Sequence, residues 1–89
     1  MVSEKVTVIN KMGFHMRPAS NFVQAMAKYQ SSINISFNGK NIDGKSIMNV
    51  MAACMKCGAE IEIQCTGADE DAMLKEAVGL VKSGLGDES

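Results

Sequence analysis

His15 is the only histidine of the chain, and it lies in the run Gly13-Phe14-His15-Met16-Arg17-Pro18-Ala19-Ser20. A neutral imidazole is a nucleophile, and here a cation follows it two residues later. Pro18 is tolerated in the first turn of a helix, because its missing N–H would lack an intrahelical partner anyway. The proline also biases Arg17 away from helical geometry, so the helix is expected to open at about Pro18. A helix start offers unpaired N–H donors and a partial positive charge. That positive end and Arg17 would both hold a dianion attached to the ring. The arrangement suits a phosphoryl group carried on nitrogen. Taken singly, a histidine at a helix start is a solvated or capping residue, and an isolated arginine is a surface cation.

Ser46, in Asp43-Gly44-Lys45-Ser46-Ile47-Met48, is placed to cap a second helix. The capping box is incomplete, since Asn49 stands where Glu or Gln would reach back. Cys54-Met55-Lys56-Cys57 is a lone CxxC. A zinc site needs about four ligands, and the remaining candidates, Cys65 and His15, belong to other segments. Cys54 and Cys57 are therefore expected to fill the core or the end of a helix, and most of the eight methionines to be core.

The elements that must position these residues follow from periodicity. Val2–Ile9 is β-branched and partly alternating, a strand. Residues 10–13 form a loop that delivers His15. Ala19, Phe22, Val23, Met26 and Ala27 recur at helical spacing, and this helix ends near Tyr29. Ile33–Phe37 alternates, Asn38-Gly39 is a preferred two-residue hairpin turn, and Lys40–Asp43 returns. Ile47, Val50, Met51 and Cys54 share a helical stripe that Gly58 is expected to close. Glu60–Cys65 alternates with its odd positions inward, and Asp69-Glu70-Asp71 opens a last helix with stripe Met73, Leu74, Ala77, Val78, Val81 and Leu85. The order is β-α-β-β-α-β-α. Strands with one apolar face favour an antiparallel sheet covered by helices on one side, an α+β two-layer sandwich.

Eighty-nine residues make one domain, expected to span 1–89. A net charge of −1 supplies no basic field for nucleic acid or anionic membrane. No apolar run nears the ~20 residues of a membrane span, and no signal-peptide pattern opens the chain. An odd count of three cysteines argues against a disulfide framework and for a reducing, cytoplasmic setting. Monomer is the default.

The Gly13–Ala19 run resembles the active-site signature of HPr, the histidine-containing phosphocarrier of the bacterial sugar phosphotransferase system, and the likeness extends over essentially the whole chain. Met16 stands where the family usually has alanine. The resemblance implies an open-faced sandwich, a four-stranded antiparallel sheet with three helices on one face. It implies that His15 accepts phosphate on Nδ1 from enzyme I with Arg17 assisting, and passes it to IIA domains of sugar permeases. No cofactor or metal is implied, and the protein would be a carrier, not an enzyme. The Ser46 segment is similar to the regulatory site of the low-GC Gram-positive type, which implies an HPr kinase/phosphorylase and a role in carbon catabolite repression through the regulator CcpA. Met48 and one neighbour, Ile47 or Met51, should point outward. With Met16, Arg17, Ser20 and Gln24 they would form a docking face shared by these partners.

Two other readings stand beside this one. A regulatory HPr-like paralogue would act mainly by binding a transcription regulator, though His15 is retained here. A small ferredoxin-like metal or nucleic-acid binder is opposed by the placement of the CxxC and by the lack of sheet aromatics for stacking bases.

Overall fold

A computed structural model describes residues 1–86; the last three residues of the expected 1–89 domain lie outside the described residues. The elements are β1 (Val2–Thr7), α1 (Met16–Ala27), β2 (Ser32–Phe37), β3 (Lys40–Asp43), α2 (Ile47–Ala52), β4 (Glu60–Thr66) and α3 (Glu70–Lys82). The strands form one sheet in the order β1-β4-β2-β3, antiparallel throughout. The α+β sandwich expected from the periodicity is the observed architecture.

Register explains how the core is built. Ile63 pairs with Ile35, Ile35 with Ile42, Cys65 with Ile33 and Ile61 with Val6, so a row of apolar side chains crosses all four strands on one face. All of these are buried. Burying each such aliphatic side chain contributes about 1.5–3 kcal/mol against exposure. Their alternates Lys5, Glu62, Gln64 and Asn34 lie on the opposite face, where Asn34 Nδ2 donates to Gln64 Oε1 at 2.9 Å. α3 lies against β1 and β4, α2 against β3, and α1 against both other helices. On the edge strand β1, Glu4 falls on the apolar side of the sheet opposite Ile63, and reaches Lys82 of α3 at 3.4 Å.

Asn38 and Gly39 take positive φ of 52° and 77°, as the hairpin turn requires. Several boundaries move. β1 ends at Thr7, not Ile9, and Ile9 is exposed. α1 runs Met16–Ala27, earlier at both ends than expected. Pro18 is thus the third helical residue. Its ring faces no helical carbonyl, because the residue four before it, Phe14, precedes the helix. α2 stops at Ala52, since Cys54 takes φ 56° and does the terminating expected of Gly58. Cys54 and Cys57 are both exposed, so neither fills the core as one half of the expectation had it; Cys54 does stand at the end of α2, and Met55 between them enters the core. Four of the eight methionines, Met1, Met12, Met16 and Met48, are exposed, so the expectation of mostly core methionines fails. Leu85 is buried but lies beyond α3, in a left-handed turn at φ 60°.

Candidate functional site

The loop before α1 is tied down at Asn10, Gly13 and Phe14. The buried Asn10 side chain donates from Nδ2 to the Gly13 carbonyl at 2.7 Å, and Gly13 N donates back to the Asn10 carbonyl at 3.0 Å. Gly13 has φ 63°, and a Cβ there would collide with the Met55 carbonyl oxygen and the Lys56 Cα. Only glycine fits this close approach. Phe14 is buried edge-on against Phe22, ring centroids 5.4 Å apart, and its N–H donates to the Met55 carbonyl at 2.9 Å. Asn10 and Met55 escaped the sequence reading. An Asn three residues before a loop glycine was the available signal for the first; nothing local marked the second.

His15 follows at the N-cap of α1, half-buried, with extended φ of −76° and ψ of −175°. Its carbonyl accepts the first intrahelical bond, from Ala19 N at 2.9 Å. Its side chain makes no capping bond to the helix. The amides of Met16 and Arg17 precede that first bond and have no carbonyl one turn back; Pro18 has no N–H. The positive end of a twelve-residue helix is therefore presented next to the imidazole by two donors, flanked by the exposed Arg17 side chain.

Ser46 caps α2 as expected, its Oγ accepting from Asn49 N at 3.3 Å. Beside it, Lys45 Nζ donates to the Tyr29 carbonyl at 2.7 Å, joining this corner to the end of α1. The stripe assigned to α2 is narrower than its spacing implied. Val50 alone is buried, Met51 is half-buried, and Ile47 and Met48 are 39% and 82% exposed. Met16 is 69% exposed at the start of the neighbouring α1. Ser20 and Gln24 follow on the same helix, with Gln24 Nε2 donating to Ser20 Oγ at 3.0 Å. The exposed Ile9 and Met12, which the sequence reading did not single out, sit in the stretch leading to His15.

Elsewhere the ionisable groups do structural work. Asp69 accepts from Gln30 N at 3.0 Å and Ser31 N at 2.9 Å, and also from the Ser31 hydroxyl. The Ser31 hydroxyl and these amides hold its carboxyl down at about 2. Glu76 takes a hydrogen bond from Tyr29 and an ion pair from Lys28 at 2.7 Å, and those bonds lower its carboxyl. Burial pushes the Cys65 thiol up to about 11. No group of three or more His, Cys, Asp or Glu among the described residues could hold a metal ion, and no helix there is long and apolar enough to cross a membrane. A groove of about 460 Å³ runs along β1 and β4, lined by Lys5, Thr7, Glu60 and Glu62 among others, with no residue of the His15 loop in its walls.

Comparison with known proteins places this geometry. The family described as "PTS HPr component phosphorylation site" matches residues 2–83. The chain is 30% identical over 87 residues to the phosphocarrier protein HPr of Neisseria meningitidis, covering 98% of each. It is 42% identical over 74 residues to that of Treponema pallidum, covering 83% of this chain and 84% of the relative. A crystal structure of HPr from Thermoanaerobacter tengcongensis superposes with a TM-score of 0.94 at 34% identity, each chain covered in full. In an HPr protein the phosphoryl group is cargo, carried and passed on. The chain belongs to the HPr family of phosphocarrier proteins of the phosphotransferase system.

Proposed function

We propose that His15 is the residue that carries the phosphoryl group, taking it from phosphorylated enzyme I and giving it to IIA domains of sugar permeases. The supporting observation is the placement of the imidazole at the N-cap of α1, beside two amides with no helical partner and an exposed arginine. The imidazole attacks phosphorus, the P–N bond of the donor histidine breaks, and the product oxygens meet N–H donors already in position. The Arg17 guanidinium steadies the added charge. Replacing Arg17 by Ala removes a charge-assisted hydrogen bond of about 1.5–3 kcal/mol. Incubation with phosphoenolpyruvate and enzyme I should add one acid-labile phosphate. Acid-labile phosphate persisting in His15→Ala refutes the assignment.

Met16, Ser20, Gln24, Ile47, Met48 and Met51 form the docking face in this reading. Its support is the exposure of Met16, Met48 and Ile47 on the packed pair α1 and α2. Ser46 is the regulatory site, modified by an HPr kinase/phosphorylase with ATP, and the modified form engages CcpA. Its phosphate adds negative charge to the face and repels an acidic enzyme I surface. An acid-stable phosphate that Ser46→Ala still accepts refutes the site.

A second reading has one observation in its favour. The Bacillus subtilis catabolite repression protein Crh superposes with a TM-score of 0.76 at 33% identity over 94% of this chain. A regulatory role through Ser46 would then outweigh transfer. The presence of His15 and Arg17 favours the carrier, and phosphotransfer assays with several IIA domains separate the two.

A further inference from the structure

Cys54 and Cys57 are left unused by the reading above, and their surroundings are unlike those of filler thiols. Both are exposed, whereas Cys65 is buried and has its thiol pushed up to about 11. Cys54 holds a left-handed conformation, φ 56°, that a side-chain-bearing residue adopts uncommonly. The residue between them and the core is Met55, 1% exposed, whose carbonyl receives the Phe14 N–H at 2.9 Å. The Met55 carbonyl and Lys56 Cα are also the atoms against which Gly13 is pressed. The Cys57 thiol donates to the Ile9 carbonyl at 3.5 Å, and Gly58 N donates to the Val8 carbonyl at 2.8 Å. The CxxC segment is thus the shelf on which the His15 loop rests, with one thiol at each end of the shelf and both open to solvent.

We propose that Cys54 and Cys57 are a dithiol redox-modification site, oxidised by low-molecular-weight disulfides to an internal disulfide that displaces the Met55 carbonyl from Phe14 and slows transfer at His15. The chemistry is two successive exchanges. One thiolate attacks the small disulfide, forms a mixed disulfide and releases one thiol; the second protein thiolate attacks the protein sulfur of that bond, forms the Cys54–Cys57 bridge and releases the second thiol. The protein loses two protons and two electrons, and the oxidant becomes two thiols. The bridge requires the two Cα atoms to lie within about 4.4–6.8 Å and fixes the sulfur dihedral. The bridge closes by turning the chain between the two thiols, and the left-handed Cys54 is where it gives. The last effect rests on the carrier reading; the bridge itself does not.

The test uses the full chain and glutathione disulfide, an oxidant that spares the exposed methionines. The intact mass of wild type should fall by two hydrogens, while Cys54→Ser and Cys57→Ser should each stop at one glutathione adduct. The Phe14 amide should shift in NMR and exchange its proton faster. Phosphorylation by enzyme I should slow about tenfold to a hundredfold, the scale of a small displacement of a reacting group, and dithiothreitol should restore it. Wild type that stops at the glutathione adduct, or that forms only dimers between chains, overturns the proposal. So does an internal bridge that leaves both the Phe14 amide and the transfer rate unchanged. Reduced protein that takes no phosphate on His15 fails the carrier reading instead, and the mass and amide signals then decide the redox site without it.

Discussion

The Phe14 amide donates to the Met55 carbonyl at 2.9 Å, so a residue beside His15 is fastened to one forty-one positions further along the chain. Gly13 makes that fastening possible, because its missing side chain lets the two backbones touch. Gly39 provides the comparison: it also has positive φ, 77°, but a Cβ there meets nothing within 4 Å. Gly39→Ala should therefore lose about 1 kcal/mol for its backbone conformation alone. Gly13→Ala should lose at least about 2 kcal/mol, strain plus a collision with unyielding backbone. Urea midpoints of the two variants check the difference, and equal losses would contradict the contact.

Ser46 combines a structural and a proposed regulatory duty, and the two separate by substitution. Ser46→Ala removes the acceptor for Asn49 N and should cost about 1 kcal/mol. Ser46→Asp keeps an acceptor and adds a charge that the helix start favours, so its stability should match wild type. The same variant should be a poorer substrate of enzyme I. A Ser46→Ala variant as stable as wild type in thermal melts would mean that the cap contributes nothing.

On α2 the same short helix serves both core and surface. Val50 is fully buried and Met48 is 82% exposed. Val50→Ala should destabilise by roughly 1–3 kcal/mol, with any loss of transfer following unfolding. Met48→Ala should leave stability within about 0.5 kcal/mol yet weaken enzyme I binding by 1 kcal/mol or more, about fivefold. Binding titrations beside denaturation curves distinguish these patterns.

Acid sensitivity should show at Asp69, whose carboxyl the fold holds well below its ordinary range. Its folded-state value, about 2, lies below the ordinary 3.8. A depressed carboxyl stabilises the fold above its unfolded value, and that contribution drains away as pH falls from about 4 towards 2. Asp69→Asn puts an amide donor among the donors of Gln30 and Ser31. It should be less stable at neutral pH and show a flatter stability profile between pH 4 and 2. A profile as steep as wild type would locate the acid sensitivity elsewhere.

The sheet was legible because each strand carries its period in plain view: Ile33 and Ile35, and Ile61, Ile63 and Cys65, alternate with polar residues and face the core as read. Helix ends were not. Pro18 was read as the opening residue, since a local rule cannot tell a first from a third position when neither needs the N–H. Cys54 ends α2 by adopting a backbone conformation that its side chain does not advertise. His15, Arg17 and Ser46 stand out in the sequence by type and spacing, and Ser46 caps its helix as expected. Met55 was invisible, because its part in the site is played by a carbonyl, which every residue has.

Pro18 at the third position of α1 leaves the helix end one amide short. For a carrier this is an advantage in thermodynamic poise. A third N–H on the phosphoryl oxygens would deepen the loaded state by about 1.5–3 kcal/mol, and tenfold or more of the cargo would stay behind at each exchange. In the proposed carrier role, two amides and an exposed arginine would hold the group without trapping it. The proline would thus keep loading and unloading near balance, so that the direction of flow is left to the proteins on either side.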